Sequence, residues 1–176
     1  MKIYKTKLNG LKVLNDKNYR DKRGYFREIL KKKYINKKNF IFWCVSKSKK
    51  NVLRGLHIQR NELQDKHVSV IRGKIFDVVI DLRKKSKTYG KKYSIILSDN
   101  NSKSLFIPAG FAHGFCGLEK DNIVLYGFTK YRSKRNEIGI IWNDKDLKIR
   151  WPLKKPIISN KDKKNISFQA FKKKFK

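Results

Sequence analysis

Histidine is scarce in this chain, three residues in 176, and two of the three, His57 and His67, fall within one stretch from Asn51 to Asp81. Imidazole is the side chain whose ordinary pKa lets it take and give a proton near neutrality. Cysteine is scarcer. Cys44 and Cys116 sit in apolar runs without CxxC spacing, which excludes a disulfide framework and a cysteine zinc site and makes both expected small core residues. No run of 18 apolar residues occurs, so a membrane-spanning helix is not expected. The opening MKIYKTKLNG carries no apolar signal segment, and a soluble, cytoplasmic protein is the expectation. Helical heptads and internal repeats are absent. Acid is thin: 14 Asp and Glu stand against 46 Lys and Arg, a formal charge of +32.

Such a charge suits a nucleic-acid binder, but the lysines run from Lys2 to Lys176 instead of gathering on one face. They read as a lysine bias of solvated positions. A small anionic substrate would still be drawn to them, whereas nucleic acid and membrane are not expected partners. A non-catalytic module that holds an anionic polymer is the competing class.

What is present is a succession of short apolar runs about ten residues apart, with turn residues between. Residues 1–20 read as one short strand and a linker, and residues 28–38 as a helix. FIFWCVS, residues 40–46, reads as a buried strand. HVSVIRG alternates and stops at Gly73, so that with KIFDVVIDL it reads as a hairpin. YSIILS, SLFIPAGFAHGFCGL (broken at Pro108 and Gly110) and NIVLYGFTKY supply further strands. The pattern predicts an all-β sandwich or barrel. One domain over residues 1–165 with a lysine-rich tail over 166–176 fits the length.

LRGLHIQ, GKIFDVVIDLR, FIPAGFAHGF, EIGIIWND, IRWP and ISNKD stand in this order, after a DKRGYF turn near the start. Together they resemble the dTDP-4-dehydrorhamnose 3,5-epimerase family over about residues 10–165. The resemblance implies a mainly β cupin jelly roll (a double-stranded β-helix) with short peripheral helices, in a homodimer that exchanges N-terminal strands. It implies a cofactor-independent epimerase of a 4-keto-6-deoxy nucleotide sugar, serving dTDP-rhamnose and polysaccharide biosynthesis. A base removes the proton alpha to the C4 ketone and an acid returns one from the other face.

By that resemblance His57 is the base, Asp162 orients it, and Lys66 stabilises the enolate. Arg23, Phe26, Glu28, Arg54, Gln59, His113, Arg132, Glu137 and Trp142 are the implied substrate contacts. A planar guanidinium suits phosphate oxygens better than scattered lysines do. Asp81, at the end of DVVID, is a supporting residue placed to hold His113 or a neighbouring strand. The family's acid is a tyrosine. The register here puts Arg132 in its place and Tyr131 one residue early, so Tyr131 serves only if a bulge turns it inward. A relative that acts at one carbon, C3 or C5, is therefore the alternative. A metal cupin is disfavoured, because Gln59 stands where a second metal-binding histidine would be needed.

Overall fold

The computed structural model describes residues 2–35 and 38–175 and resolves fourteen strands among them. The N-terminal quarter forms β1 (Lys2–Lys5), β2 (Lys12–Asn15) and a small hairpin of β3 (Tyr19–Asp21) and β4 (Gly24–Phe26). The middle holds β5 (Phe42–Lys49), β6 (Val52–Gln59), β7 (Lys66–Arg72), β8 (Lys74–Asp81) and β9 (Lys92–Ser98). Then come β10 (Lys103–Ile107), β11 (Phe111–Gly117), β12 (Asp121–Phe128), β13 (Glu137–Gly139) and β14 (Ile157–Ile158). Helices α1 (Asn160–Lys163) and α2 (Phe168–Lys174) end the chain.

Two antiparallel sheets face one another in a jelly roll. One has the order β1-β2-β10-β7-β12-β5; the other runs β13-β6-β11-β8-β9, with β14 alongside β6. Val68, Val70, Leu105 and Val124 of the first meet Ile75, Val79, Phe111 and Phe115 of the second in the inter-sheet core. Alternation explains this: side chains two apart share a face, so each strand gives every second residue to the core.

Both sheets are also covered outside. Leu56, Ile58, Val78 and Ile80 pack outward under Ile140, Leu147, Phe168 and Phe171. That second cover is why KIFDVVID reads as a nearly unbroken apolar run. The segment expected as a tail thus begins with a docked helix, capped by the Ser167 hydroxyl, which accepts from the Ala170 N–H. On the other side Leu14 and Phe106 lie under Ile35, Leu30 and Phe40.

Four local expectations change. Residues 1–20 hold two full strands, β1 and β2, before the small hairpin begins. The helix expected at 28–38 is only a 3-10 turn, Lys32–Ile35, and Asn36 and Lys37 lie outside the described residues. The run at 40–46 becomes an edge strand with Trp43 and Val45 exposed, because β5 has a partner on one side only and its outer face is uncovered there. The hairpin of HVSVIRG with KIFDVVIDL is not formed. At Gly73 (φ 85°) the chain turns out of one sheet into the other, and β7 pairs with β10 and β12 while β8 pairs with β9 and β11.

His67 belongs to this outer packing. It is fully buried, its Nε2 is 3.1 Å from Ser104 Oγ, and its ring meets the edges of Phe40 and Trp43. Burial pushes its pKa down to about 3, so the native ring is neutral. The unfolded state, with an ordinary histidine, binds the proton first. Stability from this site is therefore complete above about pH 6.5 and is lost as pH falls toward 3. Chemical-denaturation midpoints measured across that window should fall for the wild type more steeply than for His67→Leu; parallel curves would contradict the assignment.

Candidate active site

Between the sheets, toward the end where β6, β7 and β13 meet, lies a cavity of about 550 Å³, enough for a hexose with part of a nucleotide. Its geometry begins with two glycines. Gly55 of β6 has φ 123°, and a Cβ there would meet Gly114 Cα at 2.6 Å and the His113 carbonyl at 2.9 Å. A Cβ on Gly114 would in turn meet the Arg54 carbonyl at 2.8 Å. LRGLH and AHGF each carry a glycine because the two backbones touch at that level. The ladder shifts between His113 and Phe115, and beside that irregularity His57 and His113 stand directly opposite each other.

Each histidine has its own carboxylate. His57 Nε2 lies 2.6 Å from Asp162 Oδ1, and Asp162 Oδ2 accepts the Gly55 N–H at 3.2 Å. Ser159 caps α1 by accepting the Asp162 N–H, which fixes the carboxylate's backbone. Burial raises the Asp162 pKa, but hydrogen bonding to His57, the charge on that ring, the Gly55 N–H and Lys161 outweigh it and hold the group below its usual range. An ionised Asp162 accepts a hydrogen bond from Nε2–H and leaves the lone pair on His57 Nδ1. His113 Nε2 lies 2.8 Å from Asp77 Oδ2, and Asp77 is fully buried.

The facing wall comes from the first sheet. Lys66 opens β7, Tyr126 and Phe128 project from β12, and Cys44 and Ser46 from β5. Lys66 is 8% exposed, and its ammonium donates no hydrogen bond among the described residues. Burial drives its pKa down to about 8; Glu137 and Asp77 pull it back up, and Arg132 pushes it further down. The Tyr126 hydroxyl lies 2.9 Å from Ser46 Oγ. At the mouth, Arg132 grips Glu137 through Nε (2.8 Å) and Nη2 (3.0 Å), and Lys161 also pairs with Glu137. Burial would raise the Glu137 pKa, but these two cations and nearby His57 bring it to about 2. Gln59 holds the same loop, its Nε2 donating to the Ser133 carbonyl at 2.9 Å. Arg54 donates from Nε to Ser48 Oγ and from Nη2 to the Lys47 carbonyl at the rim.

Of the residues expected from sequence, His57, Asp162, Lys66, Arg54, Gln59, His113, Arg132 and Glu137 all line this one cavity. The others do not. Tyr131 is 67% exposed, its ring against Phe42, and Arg132 takes the inward position instead. No bulge rescues it. Trp142 lies elsewhere, its carbonyl accepting from Trp151 Nε1. Arg23 pairs with Asp21, Glu28 pairs with Lys31, and Phe26 is 68% exposed on the β3–β4 hairpin.

Asp81 does not hold His113. It accepts from Arg83, Ser86 and Thr88 and ties down the loop before β9, whereas Asp77, four residues earlier on the same face, meets the ring. Sequence reading missed Asp77, although a lone carboxylate in an apolar strand was the available signal. Cys44, expected in the core, is instead half-buried and faces the cavity.

A family model described as dTDP-4-dehydrorhamnose 3,5-epimerase matches residues 5–170. The chain belongs to that family. Among curated members of the dTDP-4-dehydrorhamnose 3,5-epimerase family, it is 43% identical over 169 residues to the enzyme of Methanothermobacter thermautotrophicus, covering 92% of this chain and 91% of the relative. The Shigella flexneri enzyme is 40% identical over 168 residues, with 92% and 93% covered. Among solved epimerases, the Bacillus anthracis structure with TDP and pyrophosphate bound superposes with a TM-score of 0.90 at 39% identity, over 95% of this chain and 99% of that one. The Legionella pneumophila epimerase in complex with dTDP-4-keto-L-rhamnose gives 0.91 at 36%, over 96% and 93%. A nucleotide sugar is thus the substrate class of the family to which this cavity belongs.

Lys66 also sets a stability expectation. Its native pKa of about 8 lies below the ordinary 10.5, so the native state resists the proton that the unfolded state keeps. The cost is fully present below pH 8 and is relieved as pH rises toward 10.5. Lys66→Met should raise unfolding free energy at neutral pH by on the order of 3 kcal/mol, the equivalent of that shift. A denaturant titration in which the variant is less stable than the wild type would contradict this.

Proposed function

We propose that the chain epimerises a 4-keto-6-deoxy nucleotide sugar as a dTDP-4-dehydro-6-deoxy-D-glucose 3,5-epimerase. The observation that carries the reading is the His57–Asp162 pair on one wall of the cavity and the buried Lys66 ammonium on the other. His57 Nδ1 takes the proton alpha to the C4 ketone, and Asp162 stabilises the imidazolium that forms. The electron pair moves onto the ketone oxygen, where the buried Lys66 supplies positive charge. His113, held by Asp77, shapes the sugar end of the cavity. Arg54 at the rim is the guanidinium for the diphosphate.

Arg23, Phe26 and Glu28 do not line the cavity of their own chain, yet all eight residues of the hairpin from Tyr19 to Phe26 are exposed. We propose a homodimer in which this hairpin completes the cavity of the neighbouring copy. Sedimentation of the purified chain should give twice the monomer mass, and a monomer at micromolar concentration would refute the exchange.

One observation favours a second reading, action at a single carbon: the inward residue of the loop after β12 is Arg132, not a tyrosine. NMR of the 4-keto substrate incubated in heavy water separates the two. Deuterium at C3 and C5 is the expected result, deuterium at one carbon supports the narrower reaction, and none rejects both. His57→Asn should lower exchange by about 10²–10⁴-fold. A variant that keeps wild-type exchange would remove His57 from the role of base.

A further inference from the structure

Inversion at carbon needs two groups on opposite faces of the sugar, one that takes a proton and one that gives it. His57 and His113 both stand on the second sheet, on adjacent strands, so His113 shares the wall of the base. The donor must come from the facing sheet or from the loop after β12. Tyr131 is turned out of the cavity. Arg132 donates from Nε and Nη2 to Glu137, and that bonding raises its pKa above an already high ordinary value. Tyr126 shares its hydroxyl with Ser46, and burial pushes its phenol up. Burial also raises the Cys44 thiol. Lys66 remains, with no acceptor for its protons among the described residues.

We propose that Lys66 is the proton donor of the reaction, handing an ammonium proton to the carbanion carbon from the face opposite His57. The proposal rests on the epimerase reading above and deepens it. His57 Nδ1 removes the C–H proton and the bonding pair becomes the enolate. The pair then forms a new C–H bond with the Lys66 proton on the other face, leaving a neutral amine and an imidazolium. Through the open mouth His57 returns its proton to water and Lys66 takes one up, so nothing is consumed. An ammonium with a pKa of about 8 is suited to giving a proton near neutrality. The charged groups that set this value are Glu137 from β13, Asp77 from β8 and Arg132 from the loop after β12.

The experiment compares two rates for the 4-keto-6-deoxy nucleotide sugar in heavy water: deuterium uptake with retained configuration, and inversion. Lys66→Arg keeps the positive charge but cannot readily give up a proton. It should continue exchange with retention, through His57 alone, while the ratio of inversion to exchange falls at least about 100-fold. Tyr126→Phe should leave that ratio where it is, whatever its overall rate. In the wild type the ratio should fall as pH rises through about 8, which gives a readout needing no variant.

A Lys66→Arg chain with wild-type circular dichroism that inverts at the wild-type ratio, or loses both rates in proportion, overturns the proposal. So does a collapse of the ratio in Tyr126→Phe, or a wild-type ratio flat from pH 6 to 10. Absence of any exchange by the wild type overturns the epimerase reading itself, and this one with it.

Discussion

The hydrogen bond between His57 and Asp162 spans 105 residues of chain and closes in 2.6 Å. It requires β6 to lie between β13 and β11 in the second sheet and the C-terminal segment to return across that sheet's end. Ile157 pairs with Val52, Ser159 caps α1, and Asp162 arrives one turn later with a second oxygen on the Gly55 N–H. Farther on, the aromatic pair Phe168 and Phe171 anchors the return in the outer core. The last quarter of the chain thus holds the Asp162 carboxylate in register. Loosening α1 would free the imidazole to choose either tautomer, and Nδ1 would no longer be the fixed basic atom.

The cavity is an arrangement of unequal charges. Glu137 has two cations, Asp162 has a histidine and a backbone N–H, and Lys66 has no hydrogen-bonded partner among the described residues. A buried ammonium without an acceptor costs stability, and a fold selected for stability alone would place methionine there. Its retention is understandable if negative charge develops beside it during turnover, because the interaction is then stronger in the transition state than at rest. The formal charge of +32 around this site adds a long-range attraction for a diphosphate, but it does not define the chemistry.

The strands and the central histidine were legible because alternation and glycine placement are local signals. LRGLH and the AHGF segment stood out as motifs, but the close approach of their two backbones is visible only in the structure, which pairs them. Sheet switching at Gly73 was not legible, since a glycine turn between apolar runs looks the same whether the chain folds back or crosses over. Partner choice failed for a similar reason. Asp77 and Asp81 share a face of β8, and only the offset with β11, which sets Asp77 against Phe115 and Asp81 against Phe111, decides which of them reaches His113. Tyr131 and Arg132 differ by one position in a strand-like segment, so the register fixed at Gln59 and Ser133 determines which side chain enters the cavity.

The account depends on the hexose lying between the two sheets with the base on one face and the ammonium on the other. The most direct measurement is a crystal structure with a dTDP-6-deoxyhexose that lacks the C4 ketone and cannot react. The account predicts the C5 or C3 hydrogen aimed at His57 Nδ1 within a carbon–nitrogen distance of about 3.5 Å, with Lys66 Nζ across the ring. A sugar with His57 and Lys66 on the same face, or one seated away from both, would contradict it.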